Sequence, residues 1–161
     1  MAAGPTAENR PAQKVASVGY VVVFAMMAVV SALDHRFGWS QVPPTVVLIG
    51  FVLVAVGLGI AVFVVLQNAY ASANVAVRSN QEVVSTGLYG LVRHPMYLGV
   101  LILMVGAPLA LGSYWGLVVL VPTLMVLAMR IVDEEKVLHA ELGGYTEYTQ
   151  NVRSRLVPYL W

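Results

Sequence analysis

The segment GLVRHPMYLG, residues 90–99, places two side chains that can carry positive charge at the edge of a hydrophobic stretch. Arg93 carries a fixed planar cation, and His94 is followed directly by Pro95. Because proline disfavours helix in the residue before it and suits the first helical turn, we predict a helix that begins at Pro95 or Met96 with His94 as its cap. A helix start offers free N–H groups and a partial positive charge, so this segment is suited to an anionic group.

Acidic side chains cluster after the last hydrophobic stretch, in the sequence RIVDEEKVLHAELGGYTEY. Arg130 and Glu134 are four residues apart, so they can pair on one face of a helix. Glu135 supplies a second carboxylate, whereas Asp133 is better explained as part of a solvated helix face. The glycine pair at 143–144 predicts the end of this helix. The cluster therefore combines both signs of charge within one short helical segment.

Tyrosines accompany both segments. Tyr89 and Tyr97 flank the RHP sequence, and Tyr145 and Tyr148 share one face of a predicted short C-terminal helix. Tyrosine is common at membrane interfaces, and an arginine there can extend its side chain to a lipid phosphate. Membrane anchoring is therefore an alternative to a binding site for Arg93, Tyr89 and Tyr97.

The composition is that of an integral membrane protein. Of the 161 residues, 59% are hydrophobic and only 11% are charged, against about 45–50% and about 25% in soluble domains. The chain has no cysteine, which excludes thiol catalysis and thiolate metal sites, and we predict no metal site. Its net charge of +1 and the lack of a basic run give no indication of nucleic acid binding.

Four apolar segments predict an all-α bundle of four transmembrane helices, with bounds at residues 15–33, 45–66, 96–111 and 114–132. A helix needs about 20 residues to cross the hydrocarbon layer, so the third segment is short. No segment has an ionisable side chain in its middle, which counts against a transporter because transport paths usually need one. The Gly112–Ser113 turn forces the last two helices into an antiparallel hairpin, so the start of the third lies beside the end of the fourth.

The distribution of basic residues predicts the orientation in the membrane. Three regions fall on one side of a four-helix protein and carry nearly all of the positive charge: Arg10, Lys14, Arg78, Arg93, Arg130, Lys136, Arg153 and Arg155. The opposite side has Arg36, with Asp34 nearby. We therefore predict that both termini are cytoplasmic, and that the cationic pair and the acidic cluster lie together at the cytoplasmic end of the helices. A zwitterionic or mixed-charge ligand suits such a site.

Four stretches of the sequence resemble a known enzyme family: VVSTGLYGLVRHPMYLG, GAPLALGSYWG, RIVDEEKVL and GGYTEYTQNVRSRLVPYLW. They are similar to the isoprenylcysteine carboxyl methyltransferase family, part of a larger set of membrane methyltransferases that includes phospholipid N-methyltransferases. The resemblance covers residues 67–161. We accordingly divide the chain into a disordered tail (1–14), the first two transmembrane helices (15–66) and a methyltransferase core (67–161).

The resemblance implies S-adenosylmethionine as the cofactor, bound on the cytoplasmic side, and a lipophilic substrate that arrives from the bilayer. By matching position, it implies a catalytic set of Arg93, Glu134 and Glu135, in which Arg93 orients a carboxylate or stabilises the reacting group. It implies cofactor contacts from the loop before the third helix and from the C-terminal helices: Tyr89, His94, Pro95, Tyr97, Gly99, Glu135, Tyr145 and Tyr148.

The methyl acceptor stays open at the level of sequence. An isoprenoid carboxylate would need no base, and Arg93 could hold it with two hydrogen bonds. A lipid amine or thiol would be helped by a base, for which Glu134, Glu135 and His94 are candidates.

Two other functions are alternatives. One is an NADPH-dependent membrane reductase on a related scaffold, and the other is a non-catalytic membrane scaffold or small transporter. The expected partners are membrane lipids and a lipophilic small molecule. Four short spans are few for a closed cavity, which makes a homodimer plausible.

Overall fold

The structure, a computed structural model, describes residues 11–68 and 81–161 of the chain. Helices are the only regular secondary structure in these two ranges. The five α-helices are α1 (Pro11–Phe37), α2 (Pro44–Gln67), α3 (Pro95–Ala110), α4 (Leu120–Glu141) and α5 (Tyr145–Asn151). Two 3₁₀ turns, Gly87–Gly90 and Trp115–Val119, precede α3 and α4. The all-α prediction is confirmed.

Three helical stretches are long and apolar enough to cross a membrane: Ser17–Phe37, Pro44–Gln67 and Trp115–Glu141. The fourth apolar helix, α3, has 16 residues, which corresponds to about 24 Å at 1.5 Å per residue. The hydrocarbon core is about 30 Å thick, so α3 is shorter than a full span. The described residues thus contain three candidate spans and one shorter apolar helix, where the sequence predicted four spans.

The predicted bounds of the second and third helices lie within one residue of α2 and α3, whereas α1 ends at Phe37, four residues beyond its predicted end, and α4 runs from Leu120 to Glu141 against a predicted segment of 114–132. α1 begins at Pro11, so residues 11–14 are helical and do not belong to a disordered tail. Proline suits a first helical turn, and no glycine or further proline interrupts the chain before the apolar segment. Residues 1–10, Arg78 and the side chain of Lys14, on which the orientation prediction partly rests, lie outside what the structure describes.

α2 and α3 are antiparallel and approach closely through glycines. A Cβ atom on Gly57 would lie 2.7 Å from the carbonyl oxygen of Gly99, and one on Gly106 would lie 2.8 Å from Val54 N. Such distances leave room for glycine alone, and small residues are what allow apolar helices to pack tightly within lipid. α3 therefore makes its largest contact with α2, a pairing that the sequence did not predict.

α1 packs against α4 and against the 3₁₀ turn before it. Val23 and Met27 of α1 are buried together with Met104 of α3 and Val119 of that turn. This small apolar core joins α1 to the α3–α4 connection, so that the bundle consists of two helix pairs, α2 with α3 and α1 with α4.

Asp34 ties the end of α1 to the turn between α3 and α4. Its carboxylate accepts hydrogen bonds from the Ser113 hydroxyl (2.6 Å) and from the backbone N–H groups of Ser40 (2.7 Å) and Trp115 (3.3 Å). The Ser40 hydroxyl donates to it as well. Although Asp34 is wholly buried, its carboxylate is therefore satisfied by neutral donors, as a buried polar group must be.

Candidate active site

The end of α2 positions the loop that leads to α3. The Gln67 side chain donates from Nε2 to the carbonyl oxygen of Thr86 (2.5 Å), and its Oε1 accepts from the N–H of Leu88 (3.3 Å). Gly87, which lies between them, has a φ of +56°, in the left-handed region that favours glycine. A Cβ atom there would also collide with the Gln67 side chain. The 3₁₀ turn is thus fixed to a membrane helix.

Arg93 and His94 form the entry to α3, and the C-terminal segment of the chain lies beside them. His94 is the N-cap residue and Pro95 is the first helical residue, as predicted. The backbone N–H groups of Arg93 and His94 donate to the carbonyl oxygens of Ser154 and Arg155, both at 2.9 Å. These hydrogen bonds hold the C-terminal segment against the entry to α3.

Glu135 is buried, and both of its carboxylate oxygens have partners that carry or can carry positive charge. Oε1 lies 2.9 Å from Arg93 Nη1 and 3.3 Å from His94 Nε2. Oε2 accepts a hydrogen bond of 2.8 Å from Arg155 Nε. These four side chains are called the Glu135 network below. The second terminal nitrogen of Arg93, Nη2, donates to the carbonyl oxygen of Arg153 (3.0 Å), so both terminal nitrogens of Arg93 are engaged inside the protein.

Glu134, the neighbour of Glu135, takes part in a separate chain of hydrogen bonds. The Tyr97 hydroxyl donates to Glu134 Oε2 (2.6 Å) and accepts from Arg130 Nε (3.2 Å). The predicted pairing of Arg130 with Glu134 thus runs through a tyrosine hydroxyl. The Tyr97 ring also stacks on His94, with 5.6 Å between ring centroids, which connects this chain to the Glu135 network.

Tyrosines of α5 and of the loop before α3 form another part of the site. The Tyr148 hydroxyl donates to the carbonyl oxygen of Tyr89 (2.7 Å), and Asn68 Nδ2 donates to the Tyr89 hydroxyl (3.1 Å). The Tyr145 hydroxyl is buried and has no hydrogen-bond partner among the described residues. Burial raises the pKa of Tyr89, Tyr145 and Tyr148 above the ordinary tyrosine value. All three hydroxyl groups therefore keep their protons at neutral pH and can act as donors.

A cavity of about 570 Å³ lies between these groups and the membrane helices. Its volume falls within the range of about 300–1,000 Å³ that is usual for small-molecule sites. One part of its lining is polar and comes from the loop, α4 and α5. The other part is apolar and comes from Phe24 of α1, Val65 of α2, and Met96 and Val100 of α3. The cavity can therefore take a polar ligand and a lipophilic one side by side.

Most of the predicted site residues line this cavity: Tyr89, Arg93, His94, Pro95, Tyr97, Glu134, Tyr145 and Tyr148. Gly99 and Glu135 are not among the described lining residues, and their roles in cofactor binding stay predictions. Gly99 faces α2, where a Cβ atom would lie 2.9 Å from the carbonyl oxygen of Gly57. Successive residues on a helix point about 100° apart. Glu134 therefore faces the cavity, whereas the Glu135 side chain points away from it, toward Arg93, His94 and Arg155.

Sequence reasoning missed several residues of the site. Tyr20 of α1 and Arg130 of α4 line the cavity, and Arg155 completes the Glu135 network. The spacing of Arg130 from Glu134 was a signal for Arg130, and Tyr20 stands out as a polar ring within an apolar segment. No sequence signal marks Arg155, because its partner is reached only through the folded C-terminal segment.

Among solved structures, the chain is similar to a eukaryotic intramembrane Ras methyltransferase, isoprenylcysteine carboxyl methyltransferase, with a TM-score of 0.68 and 21% sequence identity. The match covers 88% of this chain and 52% of that one, so the chain spans about half the length of the solved relative. At this level of identity the likeness shows the fold, which is that of an integral, multi-pass membrane protein.

The comparison with curated protein sequences gave no match. Residues 45–143 match the phospholipid methyltransferase family, and this stretch is more than half of the 161 residues. The match confirms the resemblance to membrane methyltransferases inferred from the sequence. The chain therefore belongs to the phospholipid methyltransferase family, whose members are membrane methyltransferases that use S-adenosylmethionine.

Proposed function

We propose that this protein binds S-adenosylmethionine at its cytoplasmic end and transfers the methyl group to a lipophilic acceptor that enters from the bilayer. The observation that carries the proposal is the two-part lining of the cavity. Arg93, His94, Tyr145 and Tyr148 supply its polar part, and side chains of three membrane helices supply its apolar part. A polar cofactor and a lipid acceptor can therefore meet inside one cavity.

The residues present fit S-adenosylmethionine. The Tyr145 hydroxyl and Arg93 Nε are buried without a hydrogen-bond partner among the described residues, so each has a donor to offer the carboxylate of the ligand. Buried donors rarely go unpaired in proteins. Tyrosine rings and the Glu134 carboxylate, which line the same cavity, suit a cationic sulfur.

The side chains of this protein would promote methyl transfer chiefly by positioning and by exclusion of water. When bound, the cofactor supplies a methyl group on a cationic sulfur, which departs as a neutral thioether as the acceptor atom bonds to the methyl carbon. Glu134 takes the proton that an amine or thiol acceptor must release. The Tyr97 hydroxyl, at 2.6 Å from Glu134 Oε2, holds that carboxylate in place for this role.

The arrangement favours an acceptor that loses a proton over a carboxylate. Arg93 contacts Glu135 through Nη1 and the carbonyl oxygen of Arg153 through Nη2, and its Nε is proposed for the cofactor, so little of its guanidinium is left to hold an acceptor carboxylate with two hydrogen bonds. Arg93 therefore binds the cofactor and not the acceptor in this proposal. A lipid amine or thiol is the preferred acceptor, and an isoprenoid carboxylate is the alternative.

Membership of a methyltransferase family favours this function over the NADPH-dependent reductase and over the scaffold or transporter. The partners that follow are membrane lipids and the lipophilic acceptor, with no role for nucleic acid. A homodimer that completes the cavity wall is part of the proposal. A monomeric mass for the active, detergent-solubilised protein would contradict that part.

We further propose that α3 completes a fourth crossing and that both termini are cytoplasmic. The chain has no cysteine, so single cysteines can report the side of the membrane. Gln41 and Gln150 are both exposed, in the α1–α2 connection and in α5. In sealed right-side-out vesicles, an impermeant maleimide should label Gln41→Cys but not Gln150→Cys. Labelling of both from outside would mean that α3 does not cross.

The experiment that tests the function uses the purified full chain in detergent micelles. Calorimetric titration with S-adenosylhomocysteine should show saturable binding and stabilise the fold by about 2.7 kcal/mol at a hundredfold excess over Kd. Tritiated methyl transfer is then measured with phosphatidylethanolamine, dodecanethiol and an S-farnesyl cysteine derivative. Tyr145→Phe should weaken S-adenosylhomocysteine binding about threefold to tenfold, whereas Tyr114→Phe, at an exposed tyrosine, should not. A folded protein that binds no S-adenosylhomocysteine would overturn the proposal.

A further inference from the structure

We propose that Tyr20 of α1 binds the polar group of the methyl acceptor and so helps to select it. This inference rests on the proposed function and names a residue that determines which acceptor is used. Tyr20 lies in the candidate span Ser17–Phe37, outside residues 45–143 that match the family. It thus lies outside the stretch that carries the family match.

The Tyr20 hydroxyl is buried and has no hydrogen-bond partner among the described residues. A buried hydroxyl without a partner is costly and uncommon in folded proteins. Because the Tyr20 side chain lines the cavity, a group placed in that cavity can supply the missing hydrogen bond. The orphaned hydroxyl therefore points to a ligand.

The surroundings of Tyr20 place this ligand group in the same cavity as the proposed base. Arg130 and Glu134 line the same cavity as Tyr20. Glu134 is the proposed base. A polar group that is hydrogen-bonded to Tyr20 would consequently lie in the same cavity as the carboxylate that takes the proton of the acceptor.

The position of Tyr20 on the membrane helix favours the acceptor over the cofactor as its ligand. Ser17 and Phe24 lie three residues before it and four residues after it, so the three share one face of α1, and all three line the cavity. This face belongs to a candidate membrane span. Tyr145 and Tyr148, proposed for the cofactor, belong to α5, which is outside the candidate spans.

The test compares Tyr20→Phe with Tyr114→Phe. Both changes remove one hydroxyl and keep the ring, but Tyr114 is exposed near the opposite end of the bundle. The acceptor is whichever of phosphatidylethanolamine, dodecanethiol and the S-farnesyl cysteine derivative the wild type methylates fastest. For Tyr20→Phe we expect kcat/KM for that acceptor to fall about threefold to tenfold, with unchanged affinity for S-adenosylhomocysteine. Equilibrium binding of the radiolabelled acceptor, at saturating S-adenosylhomocysteine, should weaken by the same factor.

The outcomes separate this inference from the proposed function. If the wild type binds S-adenosylhomocysteine and Tyr20→Phe has wild-type acceptor binding and kinetics, the role of Tyr20 is overturned while the function stands. If Tyr20→Phe weakens S-adenosylhomocysteine and acceptor equally, Tyr20 does not act on the acceptor. If the wild type neither binds S-adenosylhomocysteine nor methylates any of the three acceptors, the proposed function is overturned, and the inference with it.

Discussion

Both ends of the helical bundle contain a buried carboxylate, and the two carboxylates are satisfied in different ways. Asp34 accepts hydrogen bonds from neutral hydroxyl and backbone N–H groups of Ser40, Ser113 and Trp115. Glu135 instead contacts two guanidinium groups and an imidazole, from the entry to α3 and from the C-terminal segment. Asp34 is therefore surrounded by short neutral donors, whereas Glu135 is surrounded by long side chains that can carry charge.

This difference separates an end that holds helices together from an end that also shapes a cavity. Arg93 and His94 contact Glu135 and line the cavity at the same time. Asp34 is not among the described residues that line it. A buried ion network is a weak source of net stability, because desolvation offsets much of the attraction. We infer that the Glu135 network is retained chiefly because it fixes the position of cavity-lining side chains.

Removal of Glu135 is the severest test of the difference between the Asp34 end and the Glu135 end of the bundle. In Glu135→Ala, Arg93 stays buried without its counter-ion, so we expect the free energy of unfolding to fall by about 3–5 kcal/mol and S-adenosylhomocysteine binding to be lost. Thermal unfolding with and without S-adenosylhomocysteine measures both effects. Asp34→Ala, the control at the opposite end, should lower the melting temperature but leave the affinity of the folded protein unchanged. Equal loss of affinity in both variants would contradict the division of roles.

Replacement of Glu134 sharpens the comparison, because Glu134 adjoins Glu135 but faces the cavity. Glu134→Gln keeps the shape of the side chain and removes the base, so we expect kcat to fall about 100-fold. Its melting temperature and S-adenosylhomocysteine affinity should change little. Glu147→Gln, the same change at an exposed position of α5, is the control for kcat. Full activity of Glu134→Gln with an amine or thiol acceptor would rule out the proposed base.

Two arginines of the C-terminal segment distinguish a side-chain contact from a backbone contact. Arg155 bonds Glu135 through its side chain, which is partly exposed, whereas Arg153 contributes its carbonyl oxygen to Arg93 and has an exposed side chain. We expect Arg155→Ala to lower the free energy of unfolding by about 1–2 kcal/mol and Arg153→Ala to change it little. Denaturant or thermal unfolding in detergent provides the measurement. The same loss in both variants would indicate a nonspecific effect of charge.

The smallest expected effect is on the unfolding free energy at alkaline pH, which tests the tyrosines at the cavity end. Burial raises the pKa of Tyr148, whereas in the unfolded chain the pKa is about 10. As the pH rises past 10, the unfolded state loses this proton first, so stability is full below that pH and falls above it. Above pH 10, Tyr148→Phe should reduce the slope of the unfolding free energy against pH by at most about 1.4 kcal/mol per pH unit. Tyr159→Phe, at a fully exposed tyrosine, is the control for removal of a hydroxyl group.

Predictions from the sequence succeeded where a short stretch of chain decides the outcome. The start of α3 at Pro95 follows from the restriction that proline imposes on His94, and the structure has that start. The turn after the third apolar segment correctly predicted that the entry to α3 lies beside the end of α4, where Tyr97 meets Glu134. The long, continuous apolar segments predicted membrane helices, because a helix satisfies its backbone groups within its own segment in lipid.

The sequence by itself determined the membrane class, the bounds of α2 and α3 and the two segments that carry the chemistry, since all of these depend on local composition and spacing. Only the tertiary structure decided which member of an adjacent pair faces the cavity. Glu134 faces it and Glu135 does not, because residues about 100° apart on one helix meet different neighbours. Gly99 packs against α2, which approaches it closely. Tyr20 and Arg155 belong to the site because segments that are far apart in the chain meet there.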